Sequence, residues 1–119
     1  MTMHHRKLIV YQRALEVVAD VVSITREIGP GWSDLLDQLK RASTSIVLNI
    51  AEGVAEFRKA EKARFYRIAI RSAAESHAAL DVMVRAELIP EAAIAATQGR
   101  LEEVVAMLVA MCKEVESRR

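Results

Sequence analysis

Gln38, Arg41, Ser45, Asn49, Glu52 and Glu56 follow one another in steps of three and four. That spacing lines up amides, a guanidinium, a hydroxyl and carboxylates along one side of a helix. Farther on, Ser72, Glu75 and Ser76 form a possible counterpart. A buried carboxylate without partners costs several kcal/mol, and amide, hydroxyl and guanidinium donors recover much of that cost. The two lines are therefore expected either to meet as a hydrogen-bond network that specifies pairing, or to stay in water as the wet flank of their helices. Asn49 lies between Ile46 and Ile50, close to apolar neighbours, which favours the network.

The same residues invite a test for catalysis. Carboxylate-bridged metal centres in helical bundles use inward-facing Glu residues and a Glu-x-x-His pair on each of two helices. No Glu-x-x-His occurs, and His77 stands two residues from Glu75, on a different side of the helix. Ser43, Ser45, Ser72 and Ser76 lack a His/Asp arrangement, and neither phosphate-loop nor dinucleotide glycine patterns are present. Cys112 reads as a packing residue, His77 as a core or interface residue and His4-His5 as disordered terminal residues. The chain is expected not to be an enzyme and to carry no metal or cofactor.

Binding of nucleic acid has more to recommend it. Residues 58–71 hold Arg58, Lys59, Lys62, Arg64, Arg67 and Arg71 against Glu61 alone, although the whole chain has a formal charge of only +1. Arg64, Arg67 and Arg71 share one helical face, a row that phosphates would fit. The residues that follow, 72–116, carry eight acidic and three basic groups, so ion pairing of the same arginines within the protein or between subunits is the competing use. No aromatic interleaving suggests base stacking.

These side chains must be held by helices, since no alternating strand pattern occurs anywhere. Gly29-Pro30-Gly31, Gly53 and Pro90 punctuate the 119 residues into four segments, expected as helices over about 7–28, 33–56, 60–88 and 91–117 of one domain. Ser33 is expected to cap the second, and Gly99 sits in the fourth at a local cost of about 1 kcal/mol. The expected inward stripes are Leu8, Tyr11, Leu15, Val18, Val22 and Thr25; Leu35, Leu39, Ala42, Ile46 and Asn49; Ala63, Tyr66, Ile70, Ala73, His77, Leu80 and Val84; and Ile94, Thr97, Leu101, Val104, Leu108, Met111 and Val115. Four amphipathic helices with short connections predict an all-α, antiparallel up-down four-helix bundle.

The third segment carries a second set, Phe65, Ala69, Ser72, Ser76 and Met83, while Ile9, Val10, Val17, Val47, Leu48 and Val54 fall off the other stripes. Surplus apolar surface of this kind predicts a homo-oligomer whose interface comes mostly from the second and third helices. No apolar run has the length of a membrane span, and the single Cys112 suits a reducing compartment, so the expectation is a cytoplasmic protein with no membrane partner.

The run LLDQLKRASTSIVLNIAEG, followed by FYRIAIRSAAES and a further amphipathic helix, resembles the bacterial four-helix-bundle proteins encoded in intervening sequences of 23S rRNA genes. Gln38, Arg41-Ala42, Ser45-Ile46, Asn49-Ile50-Ala51-Glu52-Gly53, Phe65, Ile68-Ala69, Ser72-Ala73 and Glu75 carry the likeness. It implies a left-handed bundle and a homo-oligomer, most simply a homopentamer. It also implies kinship with accessory proteins of diversity-generating retroelements, which are basic and bind nucleic acid and reverse transcriptase. The chain departs from that pattern at Val54-Ala55-Glu56, at Arg71 in place of a glycine, and in its near-neutral charge.

Overall fold

The computed structural model describes residues 3–118. Four helices account for most of them: α1 (Ile9–Thr25), α2 (Ser33–Ala55), α3 (Lys59–Arg85) and α4 (Ala95–Ser117). Single 3-10 turns, His4–Lys7 and Glu91–Ala93, precede α1 and α4, and there is no strand among the described residues. α2 packs against α1 and α3, and α4 closes the set by packing against α3 and α1. Ser45 of α2 meets Ser72 of α3, His77 of α3 meets Glu102 of α4, and Arg13 of α1 meets Glu103 of α4. Leu39, Ile46, Ile50, Leu80, Met83, Leu101 and Leu108 are fully buried between them.

Local chemistry explains where the helix bounds depart from expectation. His4–Lys7 form an ordered turn with the His5 ring 4.7 Å from that of Tyr11, rather than a disordered terminus. α3 stops at Arg85 because Glu87 takes a left-handed φ of 62°, and the Leu88 and Glu87 amides donate back to the carbonyls of Met83 and Val84. This is a Schellman ending built on a glutamate, so no glycine announces it. After Pro90 the amides of Ala93 and Ile94 donate three residues back, and this tighter turn delays α4 to Ala95. Ser33 is the first residue of α2 and makes no capping bond; Trp32 occupies the cap position.

α2 ends two residues after Gly53, within the expected span. Gly53 lies inside α2, and a Cβ added there would sit 2.7 Å from Cδ1 of the buried Tyr66 ring on α3. The glycine is a recess for that ring. One turn away Lys62 of α3 donates to the carbonyls of Gly53 and Val54, at 2.6 and 3.2 Å, and so caps the end of α2 from the neighbouring helix. Burial, with the nearby positive charge of Arg118, lowers the Lys62 pKa.

Two expected stripes change. On α1 the buried line is Val10, Ala14, Val17, Val21 and Thr25, while Leu15 and Val22 remain 45% and 46% exposed. Both lines have helical spacing, and only packing chooses between them. On α3 the second set is largely internal: Ala69, Ser72, Ser76 and Met83 are all buried. A helix in a four-helix set touches two neighbours, so a wide inward arc is needed and most of the supposed surplus disappears into the core, Val10, Val17 and Val47 with it. On α4 burial follows the expected line, except that Cys112 is buried where Met111 is only half-buried.

The two helical glycines should respond oppositely to alanine. Gly99→Ala, with open space around it, is expected to stabilise the fold by about 0.5–1 kcal/mol. Gly53→Ala gains the same propensity but overpacks Tyr66, and is expected to destabilise by about 1–3 kcal/mol. Chemical denaturation of both variants measures this; a stabilised Gly53→Ala would refute the recess.

Candidate functional site

Three surface features carry the residues singled out above. The first is a polar seam along the meeting of α2 and α3. The Asn49 side-chain amide donates to the Ser45 carbonyl and hydroxyl, both at 2.9 Å, and the Ser72 hydroxyl donates to the Ser45 hydroxyl at 2.9 Å. Ser76 continues the line by donating to the Ser72 carbonyl. Asn49 thus has partners on its own helix, and Ser45 passes the connection to α3. Gln38, Arg41, Glu52 and Glu75 are exposed and form no side-chain hydrogen bond among the described residues. The seam joins three of the seven residues expected there, Ser45, Asn49 and Ser72, and leaves the other four displayed around it.

The second feature is the basic row on the outer face of α3. Arg64 pairs with Glu61 at 3.0 Å and Arg67 with Glu116 of α4 at 3.3 Å. The Arg64 guanidinium holds the Glu61 carboxyl below its ordinary pKa. Arg71 is exposed and forms no ion pair among the described residues. Two of the three cations are therefore matched by carboxylates, within reach of solvent where such pairs contribute little to stability.

The third is a furrow of about 410 Å³ between α3 and α4, with Ala73, Ala74, Ala78, Leu101, Val105 and Ala106 along it. His77 lies there half-buried, 3.0 Å from Glu102 through Nε2, and Gln98 donates to Asp81 beside it at 2.8 Å. His77 is thus an interhelical histidine flanked by two carboxylates.

No cluster of three or more His, Cys, Asp or Glu able to hold a metal occurs among the described residues. Cys112 is buried, and burial raises its thiol pKa, which favours the unreactive thiol over the thiolate. No helix of the described residues is long and apolar enough to cross a membrane.

Two polar devices were not legible in the sequence. Arg100 of α4 clasps Glu16 and Asp20 of α1 at 3.1 and 2.6 Å, and Arg13 reaches Glu103 at 2.8 Å. These partners are more than 75 residues apart and share no local pattern. The Lys62 cap is only nine residues from Gly53, but a lysine that reaches back to the carbonyls of the preceding helix carries no sequence pattern of its own.

Comparison with solved structures finds a crystal structure of a protein of unknown function from the S23 ribosomal protein family of Bacteroides thetaiotaomicron VPI-5482. It superposes with a TM-score of 0.81 at 22% identity, covering 88% of this chain and 99% of the other, a likeness of fold alone. No functionally curated protein matches. The description of the 23S rRNA-intervening sequence protein family matches residues 6–110, so this chain belongs to that family.

Proposed function

We propose that this chain is a non-enzymatic, self-assembling protein: a single-domain, antiparallel up-down, left-handed four-helix bundle that forms a homo-oligomer, a homopentamer by its resemblance to the family, in the cytoplasm. The antiparallel course is supported by pairs whose numbers rise on one helix as they fall on the next, such as Ser45 with Ser72 and Gly53 with Tyr66. The lone thiol of Cys112 suits a reducing compartment.

The observation that carries self-assembly is the apolar surface remaining after the four helices have closed. Leu48 of α2 is 59% exposed and Phe57, in the short α2–α3 connection, is 97% exposed, and Leu15 and Val22 of α1 are half-exposed. Large apolar side chains left exposed on a small chain are what contact between copies would cover. Gln38, Arg41, Glu52 and Glu75 are exposed and form no side-chain hydrogen bond among the described residues, which leaves them available to a partner. Sedimentation at micromolar concentration tests this. The expected species is close to five times 13.2 kDa, about 66 kDa; a folded 13.2 kDa species alone would contradict the proposal.

A second reading, an accessory RNA- or DNA-binding protein, rests on Arg71, which forms no ion pair among the described residues and ends the row begun by the carboxylate-paired Arg64 and Arg67, multiplied by copies in an assembly. Titration of a generic duplex at increasing salt separates the readings: phosphate contacts predict an affinity that falls steeply with salt and weakens in Arg71→Ala. Absence of binding at low salt removes this second reading and leaves the first intact.

A further inference from the structure

We infer that the hollow at the end of the bundle where α2 stops and α3 starts is a binding site for a small monocarboxylate with a short apolar tail. Side chains of the amino-terminal turn, the end of α2, the start of α3 and the end of α4 enclose about 340 Å³ there. That volume falls within the range of roughly 300–1,000 Å³ typical of clefts that hold small molecules. The site is built from one chain and does not depend on whether copies associate.

The Tyr66 hydroxyl points to a ligand. Tyr66 is only 4% exposed, with its ring in the Gly53 recess, yet its hydroxyl forms no hydrogen bond among the described residues. Every fully buried side-chain nitrogen or oxygen among those residues has a partner. The hydroxyl is therefore not sealed in, and it opens where Tyr66 borders the hollow. A phenol fixed in the core whose donor is unused within the chain is a donor available to a bound molecule. Burial raises the Tyr66 pKa, so the group keeps its proton at neutral pH.

Lys62 sets the charge of the molecule that fits. Its ammonium lies 5.9 Å from the centre of the Tyr66 ring. It donates to the neutral carbonyls of Gly53 and Val54 and forms no ion pair among the described residues. An ammonium has three donors, so one is left over. Arg118, which also lines the hollow, pairs with Glu114 at 2.6 Å. Two cations and one carboxylate leave a charge of +1, and His4 adds no negative charge. Burial, and then the charge of Arg118, lower the Lys62 pKa, a penalty on the cation that a bound anion relieves.

A single net charge calls for a monoanion. The spare donors of Lys62 and Tyr66 match the two oxygens of a carboxylate, in charge-assisted bonds. A phosphate monoester brings about −1.5 to −2 charges and three acceptor oxygens, more than this set can match. Leu8, Val54 and Met111 pack against the core and form the apolar wall along which a tail would lie, with Met111 able to adapt to its shape.

Calorimetric titration of the full chain with hexanoate tests the site. The expected result is saturable binding of one hexanoate per chain and none of hexylammonium, which carries the same tail with the opposite charge. Tyr66→Phe keeps the ring in its recess, and is expected to weaken hexanoate binding about tenfold while leaving the melting temperature of the free protein nearly unchanged. Lys62→Met is expected to abolish binding; because Lys62 also caps α2, the Tyr66→Phe result decides if that variant misfolds. No saturable hexanoate binding at millimolar concentration, equal binding of hexylammonium, or unchanged affinity in Tyr66→Phe would each overturn the inference. Inorganic phosphate bound more tightly than hexanoate would overturn the carboxylate assignment.

Discussion

A helix in a set of four can hide only the arc that faces its neighbours, and α1 carries more apolar surface than that arc holds. Val10, Ala14, Val17 and Val21 fill the inward arc, while Tyr11, Leu15, Val18 and Val22 run beside them at the same spacing. Either line alone would satisfy an amphipathic helix. The core takes the line of Val10, Ala14, Val17 and Val21, and Leu15 and Val22 are left on the outside. The outer surface of the molecule, and the assembly proposed from it, depend on which line the core selects.

The selection is enforced elsewhere, chiefly where α2 meets α3. Gly53 admits the Tyr66 ring, Lys62 caps the last carbonyls of α2, and Ser72 donates to Ser45. These contacts set the relative height of the two helices and leave Leu48 on the outer face. At the far side Arg100 bridges to Glu16 and Asp20, turning the polar flank of α1 toward α4 and its second apolar line toward α2. Polar contacts thus orient the helices, while aliphatic burial supplies most of the favourable free energy.

The helical class, the helix count and most of the buried positions on α4 were legible, because long stretches with one dominant period leave little choice. The α1 register was not, since two lines shared that period and tertiary packing decided between them. Glu87 shows a different limit: a left-handed cap on a residue other than glycine carries no compositional mark. Gly53 carries the converse ambiguity, because a glycine that serves a close approach looks the same in sequence as one that lies near a helix end. In the polar line, spacing located the Ser45–Asn49 pair and its Ser72 partner but did not distinguish them from Gln38, Arg41, Glu52 and Glu75, whose side chains point to solvent.

The central claim is that this exposed apolar surface is covered by further copies of the chain. Small-angle X-ray scattering addresses it in solution without altering a residue. The single chain has a Cα radius of gyration of 15.0 Å and extents of 49 × 29 × 22 Å. The account predicts a radius well above that value and a maximum dimension well above 49 Å. A radius near 15.0 Å with a maximum dimension near 49 Å would contradict it.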